Sequence, residues 1–223
     1  MFSQMPATSN MSLGDLKRLI KTGEGTFLEF KRTISSPEKI AREVCAFANT
    51  RGGTLLIGVD DDKTLVGVRS FYEESYLLYE ALNIVCNPPV DYEVEIVELG
   101  DKDIVVVKVL ESEQKPVYAK LGKKSHVFIR EKDKSVRATK ERAALLRTES
   151  RDNGITFEYG PNEQQLFRYL GEYDKITVNE YARLVNLNKY KSSRILVNLV
   201  SLGVLSLFNK NDIEYFTLSH KAF

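Results

Sequence analysis

Ala46-Phe47-Ala48-Asn49-Thr50-Arg51-Gly52-Gly53-Thr54-Leu55-Leu56-Ile57-Gly58-Val59-Asp60-Asp61 is the stretch on which the fold turns. It reads as the end of a helix, a tight turn at 49–53 and a strongly apolar strand at 54–59. Asp60-Asp61-Asp62-Lys63 then reads as a hairpin turn, with 65–69 returning. Just upstream, Ser36-Pro37 is an N-cap with proline at the first helical position, so the helix runs from there to about Ala48. Earlier still, the β-formers of TFLEFK (26–31) predict a strand, and Ser12 caps a short helix with Leu13, Leu16, Leu19 and Ile20 on one face. Downstream, the pattern predicts a helix over 71–86 and alternating strands at 90–99 and 104–110. A Lys-rich loop, a strand at 126–130 and a helix over 139–147 follow. Strands in adjacent hairpins mixed with helices indicate an α+β class.

The segment 148–160 changes character, carrying Asn153-Gly154 and closing on Gly160-Pro161, and reads as a linker. Beyond it come a helix at 163–170, a second at 180–184 capped by Asn179, and a third at 189–202. Two strands at 205–208 and 215–218 are joined by Asn209-Lys210-Asn211-Asp212. That order is the winged-helix order. The third helix would be the recognition helix, presenting Lys189, Tyr190, Lys191, Ser192, Ser193 and Arg194, with Ile195, Leu196, Leu199 and Leu202 in the core and Lys210 at the wing tip. The expected organisation is a flexible tail 1–11, an α+β domain 12–147, a linker 148–160 and a winged-helix domain 161–223.

Charge is unevenly placed. The 223 residues hold 32 Lys+Arg and 31 Asp+Glu, for a net +1. Residues 71–114 carry 2 basic and 11 acidic side chains, a net of −9, whereas 115–147 carry 11 basic and 3 acidic, a net of +8. Fields of that kind steer polyanions even from a neutral chain. The phosphate contacts expected from the basic block are Lys120, Lys123, Lys124, Arg130, Lys132 and Arg137. Ordinary solvated surface, with the blocks pairing with each other, is the alternative at this stage.

Several classes are excluded or disfavoured. No Walker-type phosphate loop is present, and Gly23-x-Gly25 lacks a third glycine. His126 and His220 are far apart, and Cys45 and Cys86 are isolated on apolar helix faces. A zinc site or a Cys–His nucleophile is therefore not expected, and both cysteines read as core. No run reaches the roughly 20 apolar residues of a membrane span. The start MFSQMPATSNM lacks the pattern of a secretory signal, and two cysteines do not make a disulfide scaffold, so the expected compartment is the cytoplasm. One acidic constellation stands out. Strand alternation puts Glu29 and Lys31 on one face. If strands 26–31 and 54–59 are neighbours, Glu24, Glu29 and Asp60 or Asp61 converge. Carboxylates that close repel unless a divalent cation sits between them, with Lys31 free for a phosphate. The other reading is an exposed Glu29 and a polar turn.

The motifs Gly23-Glu24-Gly25-x-x-Leu28-Glu29-Phe30-Lys31, Ala46-Phe47-Ala48-Asn49-Thr50-x-Gly52-Gly53 and the strand to Asp61, with Gly67, resemble the Schlafen AlbA-like domain. Lys115-Pro116-Val117-Tyr118 and Ile129-Arg130 extend the resemblance over about 12–147. It implies kinship with a dimeric chromatin- and RNA-binding fold, and with bacterial proteins labelled transcriptional regulators or ATP-binding proteins that often carry a C-terminal winged helix. Nuclease members in vertebrates cut tRNA and rRNA with an acidic triad and a divalent metal. That carries over to Glu24, Glu29 and Asp61 as catalytic and metal residues, with Mg²⁺ or Mn²⁺. The expectation is a homodimeric DNA-binding transcriptional regulator needing no cofactor, with structured RNA as the other partner. The alternatives are a metal-dependent endoribonuclease and, more weakly, an ATP-binding protein using the Asn49–Gly53 turn.

Overall fold

The computed structural model describes residues 7–8, 11–150 and 159–219. Most of the expected tail, residues 151–158 of the expected linker, and His220 lie outside the described residues. The chain divides into two compact units, Met1–Ala138 and Thr139–Phe223.

In the first unit, strand β1 is Ala7–Thr8 and helix α1 is Leu13–Thr22, capped by Ser12, whose Oγ accepts from the Asp15 N–H at 3.1 Å. Strand β2 (Leu28–Lys31), helix α2 (Pro37–Asn49) and strand β3 (Gly53–Ile57) follow. Helix α3 (Phe71–Glu80) runs into a π-helical turn at Ala81–Val85 and the short strand β4 (Cys86–Asn87). Strands β5 (Tyr92–Leu99), β6 (Lys102–Val109), β7 (Tyr118–Leu121), β8 (Lys124–Glu131) and β9 (Lys134–Arg137) complete the unit. They form two sheets. One is mixed, in the order β1-β5-β6-β3-β2, with β1 parallel to β5 and β2 parallel to β3. The other, β4-β7-β8-β9, is antiparallel throughout.

Helix α2 explains the arrangement. Its last six residues, Val44 to Asn49, are all buried. A helix buried all round must lie between layers, and α2 packs on β3 and β6 of the mixed sheet and on β7, β8 and β9 of the other. Its apolar side chains join Leu55, Ile57, Val105 and Val107 on one side and Ala119 and Phe128 on the other. Each large side chain so buried contributes about 1.5–3 kcal/mol. The far face of the mixed sheet buries Phe30, Leu56 and Val106 under Leu16 and Ile20 of α1.

The Asn-Thr-x-Gly-Gly turn is where the helix meets both sheets. The Asn49 amide donates to the carbonyls of Val117 and Phe128, both at 2.9 Å, and its oxygen accepts from the Val117 N–H at 2.7 Å. Gly52 has φ +72°, and a Cβ there would sit 2.7 Å from the Val109 carbonyl oxygen. A Cβ on Gly53 would fall 2.2 Å from Cδ1 of the Phe47 ring. The first glycine answers to backbone conformation and the second to close packing.

Two local expectations change. The Lys-rich stretch is not a loop but two hairpins, β7–β8 and β8–β9, in which lysines occupy alternate or turn positions. Residues 65–69 form no strand and make single bridges, Val59–Leu65 and Val68–Asp103. Cys45 and Cys86 are buried, as their apolar surroundings predict, with their Sγ atoms 3.4 Å apart.

The second unit opens with helix α4 (Lys140–Glu149), followed by α5 (Pro161–Tyr173), β10 (Lys175–Ile176), α6 (Val178–Leu184), α7 (Lys189–Ser201), β11 (Leu205–Lys210) and β12 (Ile213–Leu218). The strands form an antiparallel sheet, β10-β12-β11. The cap of α6 is Thr177 rather than Asn179. Thr177 and Glu180 bond each other's backbone N–H groups reciprocally, a capping box that Asn179 cannot complete. Asn188 caps α7. Leu166, Leu170, Ile176, Tyr181, Leu196, Leu199, Leu205 and Phe216 build the core, whereas Leu202, expected inside, is exposed. Helix α4 packs on α7, where the Ser193 hydroxyl donates to Glu141 at 2.9 Å. Arg142 pairs with Glu214 of β12 at 3.2 Å.

Candidate nucleic-acid interface

The two hairpins of the antiparallel sheet set out a rim of cations. Lys120 lies on β7, Lys123 in the β7–β8 turn, Lys124 at the start of β8, Lys132 in the β8–β9 turn and Arg137 at the end of β9; all five are exposed. None of them makes an ion pair among the described residues. Lys132 adopts a positive φ of 58°, which turns the chain between β8 and β9.

Arg130 departs from the expectation. It was to contact phosphate, yet its side chain is wholly buried. Its guanidinium pairs with Glu29 and with Glu43, each at 3.0 Å. It also donates to Ser135 Oγ and to the Gly25 carbonyl, and it lies 4.8 Å from the centre of the Phe47 ring. Burial of this charge is possible because two carboxylates and a ring face receive it. Lys31 is turned inward as well, pairing with Glu29 and donating to the Phe30 carbonyl. Neither cation is presented to a polyanion.

Strands β2 and β3 are neighbours, in parallel register from Leu28–Thr54 to Lys31–Ile57. The neighbourhood that this predicts for the acidic residues is partly realised. Burial raises the Glu24 carboxyl above its ordinary value, and the charges of Glu29 and Asp61 add to the rise. The Phe30 N–H at 2.9 Å and Lys31 oppose it. Glu29 is only 7% exposed and its two oxygens are taken by Lys31 and Arg130. Asp60 receives Arg32 at 3.1 Å, and Asp61 stands exposed in the turn. Among the described residues no group of three or more His, Cys, Asp or Glu side chains is arranged to hold a metal ion. Glu24, Glu29 and Asp61 therefore do not fit a divalent cation as they stand, because their central member is neutralised by an arginine.

The Asn49–Gly53 turn is similarly committed to the fold. Besides the Asn49 bonds, the Thr50 hydroxyl donates to the Ala46 carbonyl and accepts from the Arg130 N–H. Arg51 alone is exposed, 5.6 Å from the centre of the Phe27 ring.

In the second unit, Lys189, Lys191 and Arg194 are exposed on the first turns of α7, and Lys210 is exposed beside the β11–β12 turn. Ser192 is not among them: it is fully buried, with its Oγ unpaired, on the face that carries Leu196 and Leu199. It cannot read a base. Tyr190, expected on the first turns of this helix, is exposed between the two lysines. Two residues escaped the sequence reading as site residues. His126 and Arg42 lie near Lys124 and Arg137, and His126 was legible as the alternate residue after Lys124 on one strand face.

Residues 24–139 match the family model described as Schlafen, AlbA_2. Among solved structures, the N-terminal domain of a protein described as RecG-related, after the ATP-dependent DNA helicase, from Nitrosomonas europaea is 27% identical, with a TM-score of 0.44. The match covers 54% of this chain and 88% of that one. The DIP2311 protein of Corynebacterium diphtheriae is 16% identical with a TM-score of 0.39, over 52% of this chain and 22% of that one. Among the described residues no helix is long and apolar enough to cross a membrane.

Proposed function

The chain belongs to the Schlafen AlbA_2 family, and from that premise we propose that it is a nucleic-acid-binding protein acting as a dimeric DNA-binding transcriptional regulator. The observation that carries this reading is the rim of exposed, unpaired cations on the β7–β8–β9 hairpins. Unpaired surface cations at this density favour a phosphate backbone, whose counterions they displace. In this reading Lys120, Lys123, Lys124, Lys132 and Arg137 hold phosphates and set position. The second unit is a winged helix, supported by its order of helix, strand, two helices and a two-stranded wing. Lys191 and Arg194 of α7 read base edges, Lys189 and Lys210 contact backbone, and Ser192 has no part.

The test is binding of the full chain to duplex DNA over a range of salt. The logarithm of affinity should fall linearly with the logarithm of salt, by about 0.9 for each phosphate contact. Affinity that stays constant from low to moderate salt overturns the reading. The endoribonuclease reading is tested by incubating structured RNA with Mn²⁺. The regulator reading expects no Mn²⁺-dependent cleavage that Glu24→Ala removes. Titration with ATP is expected to show no saturable binding, since the Asn49 and Thr50 side chains are already bonded within the fold.

A further inference from the structure

One end of the β8 face collects positive charge around a histidine. Lys124 and His126 alternate on β8 and so stand on the same side of the sheet. Arg137 is paired in register with Phe128, and is thus the diagonal neighbour of His126 on that side. Helix α2 packs across the same face and brings Arg42. Arg42, Lys124 and Arg137 are all exposed. The His126 ring meets Phe128 edge-on at 6.5 Å, and its Nδ1 is buried without a hydrogen-bond partner in the protein.

Among the described residues no carboxylate makes an ion pair with Arg42, Lys124 or Arg137. Glu43 of α2 bonds Arg130 and Ser135 at the other end of the face. Glu38 stands one turn before Arg42 and makes no ion pair with it among the described residues. Lys39 is exposed on the same helix, adding to the positive side. Lys120, Glu131 and Lys134 belong to the opposite face by register.

We infer that Arg42, Lys124, His126 and Arg137 form a subsite for one phosphate group of a nucleic-acid backbone. The inference rests on the nucleic-acid reading above and names the place where the backbone is gripped. Two guanidiniums and an ammonium are the donors that bind phosphate through charge-assisted bonds. Three like charges around one imidazole repel, and an anion among them removes the repulsion. A consequence follows for protons. Without an anion, partial desolvation and then Arg137, Lys124 and Arg42 hold the imidazole below its ordinary value, so it is neutral near neutrality. A phosphate offsets those charges and favours the protonated, cationic imidazole. Binding therefore takes up a proton, and affinity rises as pH falls.

The experiment follows the His126 imidazole by NMR in the full chain, with His126→Gln assigning the signal and Arg42→Ala as a well-folded surface variant. Two probes are used, inorganic pyrophosphate and a short duplex DNA, and duplex affinity is measured in parallel. The inference expects the His126 titration midpoint to move up on adding either probe, and less so in Arg42→Ala. It also expects duplex affinity to rise about three- to tenfold from about pH 8 to about pH 6 in the wild type and to lose that dependence in His126→Gln. A midpoint unmoved by both probes overturns the subsite, even if the duplex binds with a steep salt dependence. A midpoint moved by pyrophosphate while the duplex does not bind upholds the anion subsite and overturns the nucleic-acid reading.

Discussion

Strand β8 carries cations at both ends of one face, and the two ends have opposite fates. At one end Arg130 is wholly buried, held by Glu29 from β2 and Glu43 from α2, and stacked on Phe47. At the other end Lys124, with Arg137 across the hairpin, is exposed, and among the described residues neither makes an ion pair. In a count of charges along the sequence the two ends are alike. What separates them is whether a distant element delivers a carboxylate. The buried end is a structural clamp joining β2, α2 and the antiparallel sheet, and the exposed end has its donors free for an outside anion.

Removing Arg130 should break this comparison most visibly if it is wrong. Arg130→Ala leaves Glu43 without its counter-charge and Glu29 with Lys31 alone, and should cost about 3–5 kcal/mol in urea unfolding. Lys124→Ala should cost less than about 0.5 kcal/mol. Equal costs would erase the distinction between clamp and rim. Asn49→Ala strips hydrogen bonds from three buried backbone groups beside that clamp and should cost about 3 kcal/mol by the same measurement. The exposed end is sharpened by Lys123→Ala combined with Lys124→Ala. Fold stability should hold while duplex affinity drops about tenfold at low salt and the salt slope falls by up to about 1.8.

A smaller effect separates the ends by pH. In the absence of nucleic acid the His126 midpoint is depressed in the folded chain. The unfolded chain therefore takes up that proton first, and stability declines as pH falls below the ordinary imidazole value of 6.5. His126→Gln should flatten this part of the pH–stability curve in urea melts, whereas Lys120→Ala, on the other face, should leave its slope unchanged. The least visible effect concerns the thiols. The free thiols of Cys45 and Cys86 share a hydrogen bond and are buried, which pushes the Cys45 thiol up and away from the reactive thiolate. Alkylation of the native protein should be slow, and should become fast only in denaturant.

Much of this was legible in the residues, and what was not has physical reasons. The Ser36-Pro37 start of α2 is a local signal and stands as read. Strand alternation placed Glu29 correctly beside Lys31, but its decisive partner lies 101 residues further on. No local pattern announces a bond that only the packing of two sheets creates. The β7–β9 hairpins were hidden because lysine at exposed strand positions looks like loop composition. Ser192 was legible and overlooked. It precedes Leu196 by four residues and Leu199 by seven, so the helical period already sets it on the core side. The cap of α6 went to Asn179 because one good capping residue resembles another until the glutamate three residues after Thr177 is weighed.

The place of α4 matters for anyone who takes the protein apart. A fragment beginning at the α5 proline, Pro161, would discard the helix that lies on α7 and would orphan Ser193 and Glu214 together. Ala143 and Leu146, buried in the intact chain, would go with it. Beginning at Thr139 keeps the α4 cap and both of those partners. The shorter piece invites aggregation through a stripped helix face, and any weakness it showed toward DNA would report on the cut rather than on the recognition helix.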